Sequence, residues 1–319
     1  MERTMKAVRI HQYGGREALI YEDSPFPDVA DDAVLIRVTA TSVNPFDCAV
    51  RNGYVVNYFN HTLPLILGLD VAGVVEAVGA KVEDFSPGDA VYARASPETN
   101  GAYAEFIALP SAVVAPAPRS LDLIHAAAVP HVAYAAWHTL TNVTNLSGGQ
   151  KVLIHGAAGG VGTFAVQLAK CYGAYVVGTS SENNLDYLRE LGADEVIDYN
   201  ASRFEDLVHD MDVVMDLVGD MGDNTQTRSW KVLKSAGMLA SLVQFPSPEA
   251  AAEHNVQASL VGASDCDGQA LVILGEMIDR GQIKPAVTNV LPLSEIRQAH
   301  EISENRHVRG KLVLTVNGV

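Results

Sequence analysis

The chain has 319 residues, of which 48% are hydrophobic and 19% are charged. This composition excludes a disordered chain, and the length allows about two domains at roughly 150 residues per domain. The formal net charge of −16 argues against nucleic acid as a partner, because a phosphate backbone calls for a basic surface.

The cysteines and the apolar stretches bear on compartment and on metal binding. Cys48, Cys171 and Cys266 lie far apart and form no Cys-x-x-Cys pair, which argues against a structural zinc site or a disulfide framework. The first ten residues have no apolar signal-peptide core. The apolar stretch 152–169 carries His155 and four glycines, which argues against a membrane span. We therefore predict a cytoplasmic protein that does not span a membrane.

Short strands separated by turn residues make up the first part of the chain, roughly residues 1–119. The predicted strands cover residues 33–39, 72–78, 90–93 and 104–108. Proline-containing turns and a Ser-Pro-Gly-Asp segment separate them. This spacing predicts an irregular, β-barrel-like domain.

The periodicity changes near residue 120. Residues 121–140 have a helical pattern that is interrupted at Pro130, and from residue 151 strands alternate with helices. The predicted strands cover residues 152–155, 175–179, 195–199, 212–218, 238–243 and 256–261. The predicted helices cover residues 161–172, 184–191, 203–208 and 224–234. Such an alternation with apolar strands predicts a buried parallel sheet flanked by helices.

The last part of the chain does not continue this alternation. Helices are predicted over residues 268–280 and within 291–305, and a strand over residues 311–316. We expect this part to return to the first domain.

A glycine-rich turn follows the first strand of the alternating region. The absence of side chains lets the backbone approach a pyrophosphate, and the helix that begins there offers free N–H groups. The spacing is Gly-x-x-Gly-x-x-Gly rather than the strict Gly-x-Gly-x-x-Gly, but strand, turn and helix stand in the right order. The predicted cofactor-binding residues of the turn are Gly156, Ala157, Gly159, Gly160, Val161 and Gly162.

The end of the second strand of this region bears on which dinucleotide is bound. An acidic residue there binds the ribose of NAD, whereas this chain has Thr179, Ser180 and Ser181. These small hydroxyl side chains do not repel a 2′-phosphate, although Glu182 follows directly. We predict that NADPH is the cofactor and that the three hydroxyl residues contact it.

Several segments follow one another in the order of a known family. They are residues 44–47 (Asn-Pro-Phe-Asp), 68–75, 87–92, the glycine turn and 309–314 (Arg-Gly-Lys-Leu-Val-Leu). By these segments the chain resembles the medium-chain dehydrogenase/reductase superfamily, and within it the zinc-free quinone oxidoreductase group. The resemblance implies an α/β fold in which residues 1–119 and 265–319 form a GroES-like, β-rich catalytic domain. Residues 120–264 would form an inserted Rossmann domain with a doubly wound parallel sheet.

The zinc ligands of the zinc-dependent relatives are replaced in this chain. Those relatives have cysteine where Asn44 stands and Gly-His-Glu where residues 68–70 read Gly-Leu-Asp. We therefore predict no bound metal, since catalytic zinc takes three ligands that usually include histidine or cysteine. Without a Lewis acid, the expected hydride acceptor is a quinone or an α,β-unsaturated carbonyl, a small molecule whose conjugation spreads the developing charge.

The resemblance also implies roles for single residues. Asn44 would contact the nicotinamide or its ribose in the interdomain cleft, and Tyr54 would hydrogen-bond the substrate carbonyl and donate a proton. These two are the predicted catalytic residues. Tyr199 would stack near the adenosine phosphate, and Arg306 would lie near the 2′-phosphate. Gln244 follows the fifth strand of the alternating region, at the carboxyl edge where such sheets bind ligands, and we expect it to line the cleft.

Three functions remain open on these grounds. The first is an NADPH-dependent quinone or enone reductase. The second is an enoyl-thioester or polyketide-type reductase, and the third is a non-catalytic NADPH-binding protein. We also predict a homodimer, for which the edge strand over residues 256–261 is a candidate contact.

Overall fold

The structure, a computed structural model, describes residues 3–59, 61–220, 223–262 and 266–316. The chain divides into two compact units. The first combines Met1–Tyr134 with Asp265–Gly281 and Pro285–Val319, and the second combines Ala135–Ser264 with Gln282–Lys284. Residues 120–134 thus belong to the first unit, whereas the sequence placed them in the Rossmann domain. The functional domain boundaries stay a prediction.

Strands and helices are numbered here in chain order. The strands are β1 Thr4–Ile10, β2 Ile20–Pro25, β3 Ala33–Val43, β4 Leu65–Ile66, β5 Asp70–Val78, β6 Ala90–Arg94, β7 Phe106–Pro110, β8 Val114–Pro116, β9 Lys151–Ile154, β10 Tyr175–Ser180, β11 Glu195–Asp198, β12 Met211–Asp216, β13 Leu233–Ser241, β14 Gln257–Leu260, β15 Val287–Pro292 and β16 Lys311–Thr315. The α-helices are α1 Pro45–Arg51, α2 Leu123–Ala126, α3 Pro130–His138, α4 Gly160–Cys171, α5 Leu185–Glu190, α6 Thr225–Ser229, α7 Pro248–Glu253, α8 Gly268–Asp279 and α9 Ile296–Glu304.

The first unit contains two sheets. The larger has the order β15-β16-β3-β5-β6-β8, with β7 paired to β3, and the smaller has the order β2-β1-β4. Strand β16 lies antiparallel to β3, so the end of the chain completes the sheet that the first part begins. Strand β5 approaches β3 closely at Gly73, where an added Cβ would lie 2.2 Å from the carbonyl oxygen of Arg37. A glycine is therefore required for this strand pairing.

The second unit is a six-stranded parallel sheet in the order β11-β10-β9-β12-β13-β14. Counted within the unit, this is the order 3-2-1-4-5-6 of a dinucleotide-binding doubly wound sheet. Its central strand β9 has three consecutive buried residues, Val152, Leu153 and Ile154, because helices cover both faces of such a sheet. The predicted parallel sheet is confirmed, and the change of direction in strand order lies between β9 and β12.

Some predicted helices begin or end elsewhere. Pro130 starts α3 rather than interrupting it, since proline lacks the N–H that the first helical turn leaves unpaired anyway. The predicted helix 203–208 is reduced to a single 3₁₀ turn, Phe204–Asp206. Residues 291 and 292 belong to strand β15, and the helix that follows starts at Ile296.

The sequence reading missed several short elements. They are strands β1, β2, β4, β8 and β15, helix α1 after Asn44, and helix α7, in which the side chain of Ser247 accepts a hydrogen bond from the N–H of Ala250. None of the helices in the described part of the chain has the length and apolar character that crossing a bilayer requires.

Candidate active site

A buried carboxylate, Asp70, organises a polar cluster in the first unit. Its Oδ2 accepts hydrogen bonds from Nδ2 of Asn44 at 2.9 Å and from the hydroxyl of Ser42. The ammonium of Lys311 lies 3.3 Å from the same oxygen and donates to Oδ1 of Asn44 at 2.5 Å. The side chain of Lys311 is 4% exposed, and Asp70 is not exposed at all. Asn44 is thus held on both sides of its amide.

Three strand termini bring these residues together. Ser42 stands opposite Asp70 where β3 pairs with β5, and Leu312 stands opposite Val43 where β16 pairs with β3. Asp70 and Lys311 each begin their strand, and Asn44 directly follows the end of β3. The cluster therefore depends on strand register, because a shift by one residue would turn these side chains to the other face.

The charges of the cluster compensate one another. Burial by itself raises the pKa of Asp70, but the ammonium of Lys311 and further hydrogen bonds hold it below its ordinary value. Asp47, in the first turn of α1, accepts hydrogen bonds from the N–H of Asn44 at 2.8 Å and from the hydroxyl of Tyr103 at 3.0 Å. Burial raises the pKa of Asp47 to about 6. Of the two carboxylates, only Asp70 has a buried ammonium against it.

A histidine and an arginine extend the cluster to helix α3. The backbone N–H of His131 donates to Oδ1 of Asp70 at 2.6 Å, and Nε of Arg94 donates to Nδ1 of His131 at 3.0 Å. Burial, together with the positive charge of Arg94, lowers the pKa of His131 to about 3. The imidazole of His131 is therefore neutral at physiological pH.

A second buried group lies between α1 and α9 in the same unit. Arg51, 1% exposed, donates to Nδ1 of His300 at 3.0 Å and forms an ion pair with Glu304. Burial, with the charge of Arg51, lowers the pKa of His300 to about 3. Burial also raises the pKa of Cys48 to about 12, so its thiol is not a reactive thiolate. This group joins the two helices rather than forming a reactive site.

Tyr54, the other predicted catalytic residue, is in a different environment from Asn44. It follows helix α1, and it is 75% exposed, whereas Asn44 is 1% exposed. Among the residues that the structure describes, none hydrogen-bonds its phenol. Its role stays a prediction.

In the second unit, the glycine turn joins β9 to α4. Gly156 has a φ of 67°, a value that glycine adopts without strain. Gly159 is the N-cap of α4 and has no side chain to cap it, so the first N–H groups of a twelve-residue helix remain for a ligand. These features suit the pyrophosphate of a dinucleotide.

Replacing Gly162 with alanine is expected to weaken cofactor binding roughly 5–150-fold, which corresponds to the roughly 1–3 kcal/mol that overpacking costs. An added Cβ there would lie 2.5 Å from the carbonyl oxygen of Gly156 and would push the helix away from the turn. Titration of NADPH fluorescence measures the effect. Gly262→Ala is the matched control, since a Cβ at Gly262 meets no atom of the described residues within 4 Å. Equal affinities of the two variants would contradict the prediction.

The three hydroxyl residues at the end of β10 differ in their surroundings. Thr179 is 3% exposed and hydrogen-bonds Nδ1 of His155 at 3.1 Å, and Ser180 is 4% exposed and donates to the carbonyl oxygen of Ser181 at 3.1 Å. Ser181 is half-buried, and its hydroxyl accepts a hydrogen bond from Nδ2 of Asn184 at 3.3 Å. Of the three, Ser181 is the one whose hydroxyl can still donate to a ligand.

The carboxyl edge of β12 and β13 carries a hydrogen-bonded network. Asp216, fully buried, accepts hydrogen bonds from Nε2 of Gln226 at 3.0 Å and from the hydroxyl of Ser241 at 2.9 Å. The side chain of Gln244 accepts from the N–H of Asp220 at 2.9 Å and donates to its carboxylate at 3.2 Å. The side-chain amide of Gln244 is therefore already hydrogen-bonded to Asp220 at this edge of the sheet.

The remaining predicted cofactor residues lie at the surface. Tyr199 follows β11 and is 46% exposed. Arg306 is exposed, follows helix α9 in the first unit and has a φ of 55°. The other predicted cofactor residues, apart from Asn44, belong to the second unit.

Comparison with known proteins identifies the family. The model of the alcohol dehydrogenase GroES-like domain matches residues 30–119, and that of the zinc-binding dehydrogenase matches residues 191–314. The chain is 32% identical to the mouse (Mus musculus) NAD(P)H oxidoreductase RTN4IP1, mitochondrial, over 98% of this chain and 89% of that protein. It is 35% identical to the NADPH-dependent alkenal/one oxidoreductase, chloroplastic, of Arabidopsis thaliana, over 98% of this chain and 80% of that protein.

A solved structure agrees over the whole length. The quinone oxidoreductase from Coxiella burnetii superposes with a TM-score of 0.89 at 33% identity, covering 99% of this chain and 100% of that one. The chain belongs to the medium-chain dehydrogenase/reductase superfamily, in its quinone oxidoreductase-like branch. It is an oxidoreductase that uses a nicotinamide cofactor, and the predicted combination of a GroES-like domain with a Rossmann sheet is confirmed.

One of the two matching family models is named for a zinc-binding dehydrogenase. The side chains around Asp70 in this chain do not suit a zinc ion. In the described ranges, no three His, Cys, Asp or Glu side chains are grouped so that they can hold a metal ion. Asp70 stands where the zinc-dependent members have glutamate, and its charge already faces the ammonium of Lys311. A divalent cation beside that ammonium would meet electrostatic repulsion.

Two groups in this oxidoreductase escaped the sequence reading. Lys311 belongs to the closing motif 309–314 and His155 to the apolar stretch 152–169, and neither was predicted as a site residue. Lys311 lies 241 residues from Asp70 in the chain, and no local spacing pattern reveals such a pair. A lysine at the start of a buried strand was the one signal, because lysine is almost never buried without a partner.

Proposed function

We propose that this oxidoreductase is a zinc-independent, NADPH-dependent reductase that transfers hydride to a quinone or an α,β-unsaturated carbonyl. The observation that carries the proposal is the buried Lys311–Asp70 pair beside Asn44, since it puts a fixed cation where zinc-dependent members bind metal. The printed names of the relatives, an alkenal/one oxidoreductase and a quinone oxidoreductase, support the acceptor class.

In this proposal the second unit binds the cofactor. Gly156, Ala157, Gly159, Gly160, Val161 and Gly162 hold the pyrophosphate with backbone N–H groups, and Gln244 and Tyr199 line the site. The bound reduced nicotinamide supplies the hydride. Asn44, whose amide is held by Asp70 and Lys311, orients the nicotinamide or its ribose. Tyr54 donates a hydrogen bond to the acceptor from the protein surface.

The preference for NADPH is also part of the proposal. Thr179, Ser180 and Ser181 present no carboxylate at the end of β10, and the hydroxyl of Ser181 with the amide of Asn184 offers hydrogen bonds to a 2′-phosphate. Arg306 contributes positive charge. The homodimer and the cytoplasmic location stay predictions; strand β14 forms one edge of its sheet and supports a contact between two copies.

The proposal is tested by measuring NADPH oxidation with a panel of quinones and α,β-unsaturated aldehydes and ketones. We expect turnover that is unchanged after dialysis against a strong zinc chelator and with no zinc found by elemental analysis. Loss of turnover on chelation and recovery on adding zinc would contradict zinc independence. An absence of turnover with every acceptor would contradict the reductase function.

Replacing Ser181 with aspartate is expected to raise the KM for NADPH roughly 10–100-fold, because like charges placed against each other cost several kcal/mol. The KM for NADH should change little or fall, since a carboxylate at this position can bind the ribose 2′-hydroxyl. Ser235→Asp is the control, as it adds the same charge at an exposed position of strand β13 in the same unit. Equal effects of the two substitutions on NADPH would show that Ser181 does not face the 2′-phosphate.

A further inference from the structure

The imidazole of His131 is held in one tautomer. Nε of an arginine always carries a proton, so the hydrogen bond from Arg94 makes Nδ1 of His131 an acceptor. In the neutral ring the proton must then lie on Nε2. Arg94 is itself only 5% exposed, and it forces this arrangement from a buried position.

The Nε2–H of His131 is directed away from this support. Within the part of the chain that the structure describes, only one buried side-chain nitrogen or oxygen has no hydrogen-bond partner, and it is Nε2 of His300. Nε2 of His131 is therefore not an unpaired atom sealed inside the protein. No atom of the described residues accepts from Nε2 of His131, so this nitrogen reaches solvent on a half-buried side chain. His131 thus has one face fixed by the protein and a donor on the other.

The position of this donor is fixed by the same carboxylate that holds Asn44. Asp70 accepts the backbone N–H of His131 on Oδ1, and on Oδ2 it accepts the side-chain amide of Asn44. The charged groups around the ring are Arg94 on β6, Asp70 on β5 and Lys311 on β16. Two of these three are positive, which favours the neutral ring and polarises its N–H.

We propose that the Nε2–H of His131 donates a hydrogen bond to the carbonyl oxygen of the acceptor and stabilises the negative charge that hydride transfer places there. The inference rests on the proposed reductase function. The reduced nicotinamide, when bound, would supply the hydride and be oxidised by two electrons. The hydride adds with its electron pair to the β-carbon of the enone, the C=C π electrons move toward the carbonyl, and the carbonyl oxygen takes up the negative charge of the enolate. A neutral imidazole N–H does not give up its proton near neutral pH, so water protonates the α-carbon and His131 is unchanged.

A neutral imidazole has an advantage in this role. Because the ring titrates far below neutrality, the same N–H is present over the whole physiological pH range. Donors that are already in place where charge develops are among the largest contributions to catalysis, since they need no reorganisation during the reaction. His131 is then a catalytic residue, and Arg94 is a positioning residue that acts through it.

Two substitutions at His131 distinguish the loss of the Nε2–H donor from the loss of the hydrogen bond with Arg94. In His131→Asn the side-chain oxygen can still accept from Arg94, but the donor at the Nε2 position is lost. In His131→Gln the amide nitrogen reaches the Nε2 position. His125→Asn, at an exposed histidine that is hydrogen-bonded to Asp122, is the matched control.

Steady-state kinetics with NADPH and a simple α,β-unsaturated ketone test the proposal. For His131→Asn we expect kcat to fall roughly 10–100-fold. This is less than the loss expected on removing a donor from an enclosed oxyanion hole, because this site reaches solvent. The Kd for NADPH and the thermal unfolding midpoint should stay at the values of the unmodified protein. His131→Gln should recover part of the loss, and His125→Asn should match the unmodified protein.

Several results would overturn the inference. An unchanged kcat in His131→Asn would do so. A weakening of NADPH binding in His131→Asn as large as the fall in kcat would also do so, and so would a fall in kcat that is no smaller in His131→Gln than in His131→Asn. Nitrogen NMR of labelled protein gives an independent check: a ring protonated on Nδ1, or doubly protonated near neutral pH, contradicts the assigned tautomer. If the unmodified protein reduces no enone or quinone, the proposed function fails and the inference fails with it.

Discussion

Replacing Lys311 with methionine is expected to lower the stability of the first unit by about 3–5 kcal/mol, the usual cost of leaving a buried charge without its partner. The ammonium of Lys311 lies against the carboxylate of Asp70 and also donates to Asn44 and to the carbonyl oxygen of Val43 at 3.3 Å. Methionine fills a similar volume but compensates none of these oxygens. Asp70 would then remain charged and fully buried, or take up a proton at the expense of its hydrogen bonds.

Amide hydrogen exchange measures this effect where it occurs. Protection of the amides in β3 and β16 should fall by at least a hundredfold, as about 3 kcal/mol requires. Both tryptophans of the chain, Trp137 and Trp230, lie in the second unit, so their fluorescence reports that unit separately. Unchanged protection in β3 and β16 would show that the pair adds no stability.

Two further variants test the cause of this loss. Adding Asp70→Asn to Lys311→Met should restore at least half of the lost stability, because the neutral amide needs no counter-charge. Lys6→Met removes a surface ion pair with Asp23, at 3.0 Å and with both side chains largely exposed. It should change little, since exposed pairs contribute little to stability.

Acidification is expected to destabilise the second unit through His155. This histidine is 1% exposed, and it lies between the hydroxyls of Thr179 and Ser229 at 3.1 and 3.0 Å. The hydroxyl of Ser229 donates to the carbonyl oxygen of Thr225, so it accepts from Nε2–H of His155, and Nδ1 then accepts from Thr179. Both sites of a neutral ring are used, and burial lowers its pKa from 6.5 to about 4.

The sign of the pH dependence follows from this depressed pKa. The unfolded chain binds the proton more readily than the folded one, so the contribution of His155 is complete above pH 6.5 and is lost as the pH falls toward 4. At about pH 5, some 1.5 units below the unfolded pKa, the loss is about 2 kcal/mol. Urea unfolding followed by tryptophan fluorescence between about pH 7 and pH 5 measures it.

Removal of the titrating ring should remove most of this dependence. In His155→Gln the unfolding free energy should be nearly constant over the same pH range, although lower at neutral pH. His209→Gln, at a histidine whose side chain is 82% exposed in the same unit, should keep the dependence of the unmodified protein. An unchanged slope in His155→Gln would assign the acid sensitivity to other groups.

The sequence predicted the fold well where the pattern is local. The parallel sheet of the second unit was predicted because its strands are continuous apolar runs bounded by turns, as in Val152 to Ile154. The glycine turn was found for the same reason, since Gly156 and Gly162 act on backbone within a few residues of themselves. Strand β2 was missed because much of it is exposed and carries charged residues, which weakens the alternation.

The candidate site was predicted less completely. Asn44 was found through a resemblance, but the groups that hold its amide were not, and nothing in the sequence indicated that the backbone of His131 binds Asp70. At the end of β10, the prediction from the sequence was that Thr179, Ser180 and Ser181 all contact the cofactor. Only their burial and hydrogen bonds distinguish Ser181 from the two hydroxyls that are used inside the protein.

What the sequence by itself determined is the order of the elements, the glycine turn and the absence of the zinc-ligand residue types, since each depends on residue type and near neighbours. The tertiary structure alone decided which charges meet. Strand register brings the first residue of β16 to the first residue of β5, and a helix start brings His131 to the same carboxylate. A buried charge is stable only beside its partner, and that partner is chosen by the folded chain rather than by spacing along it.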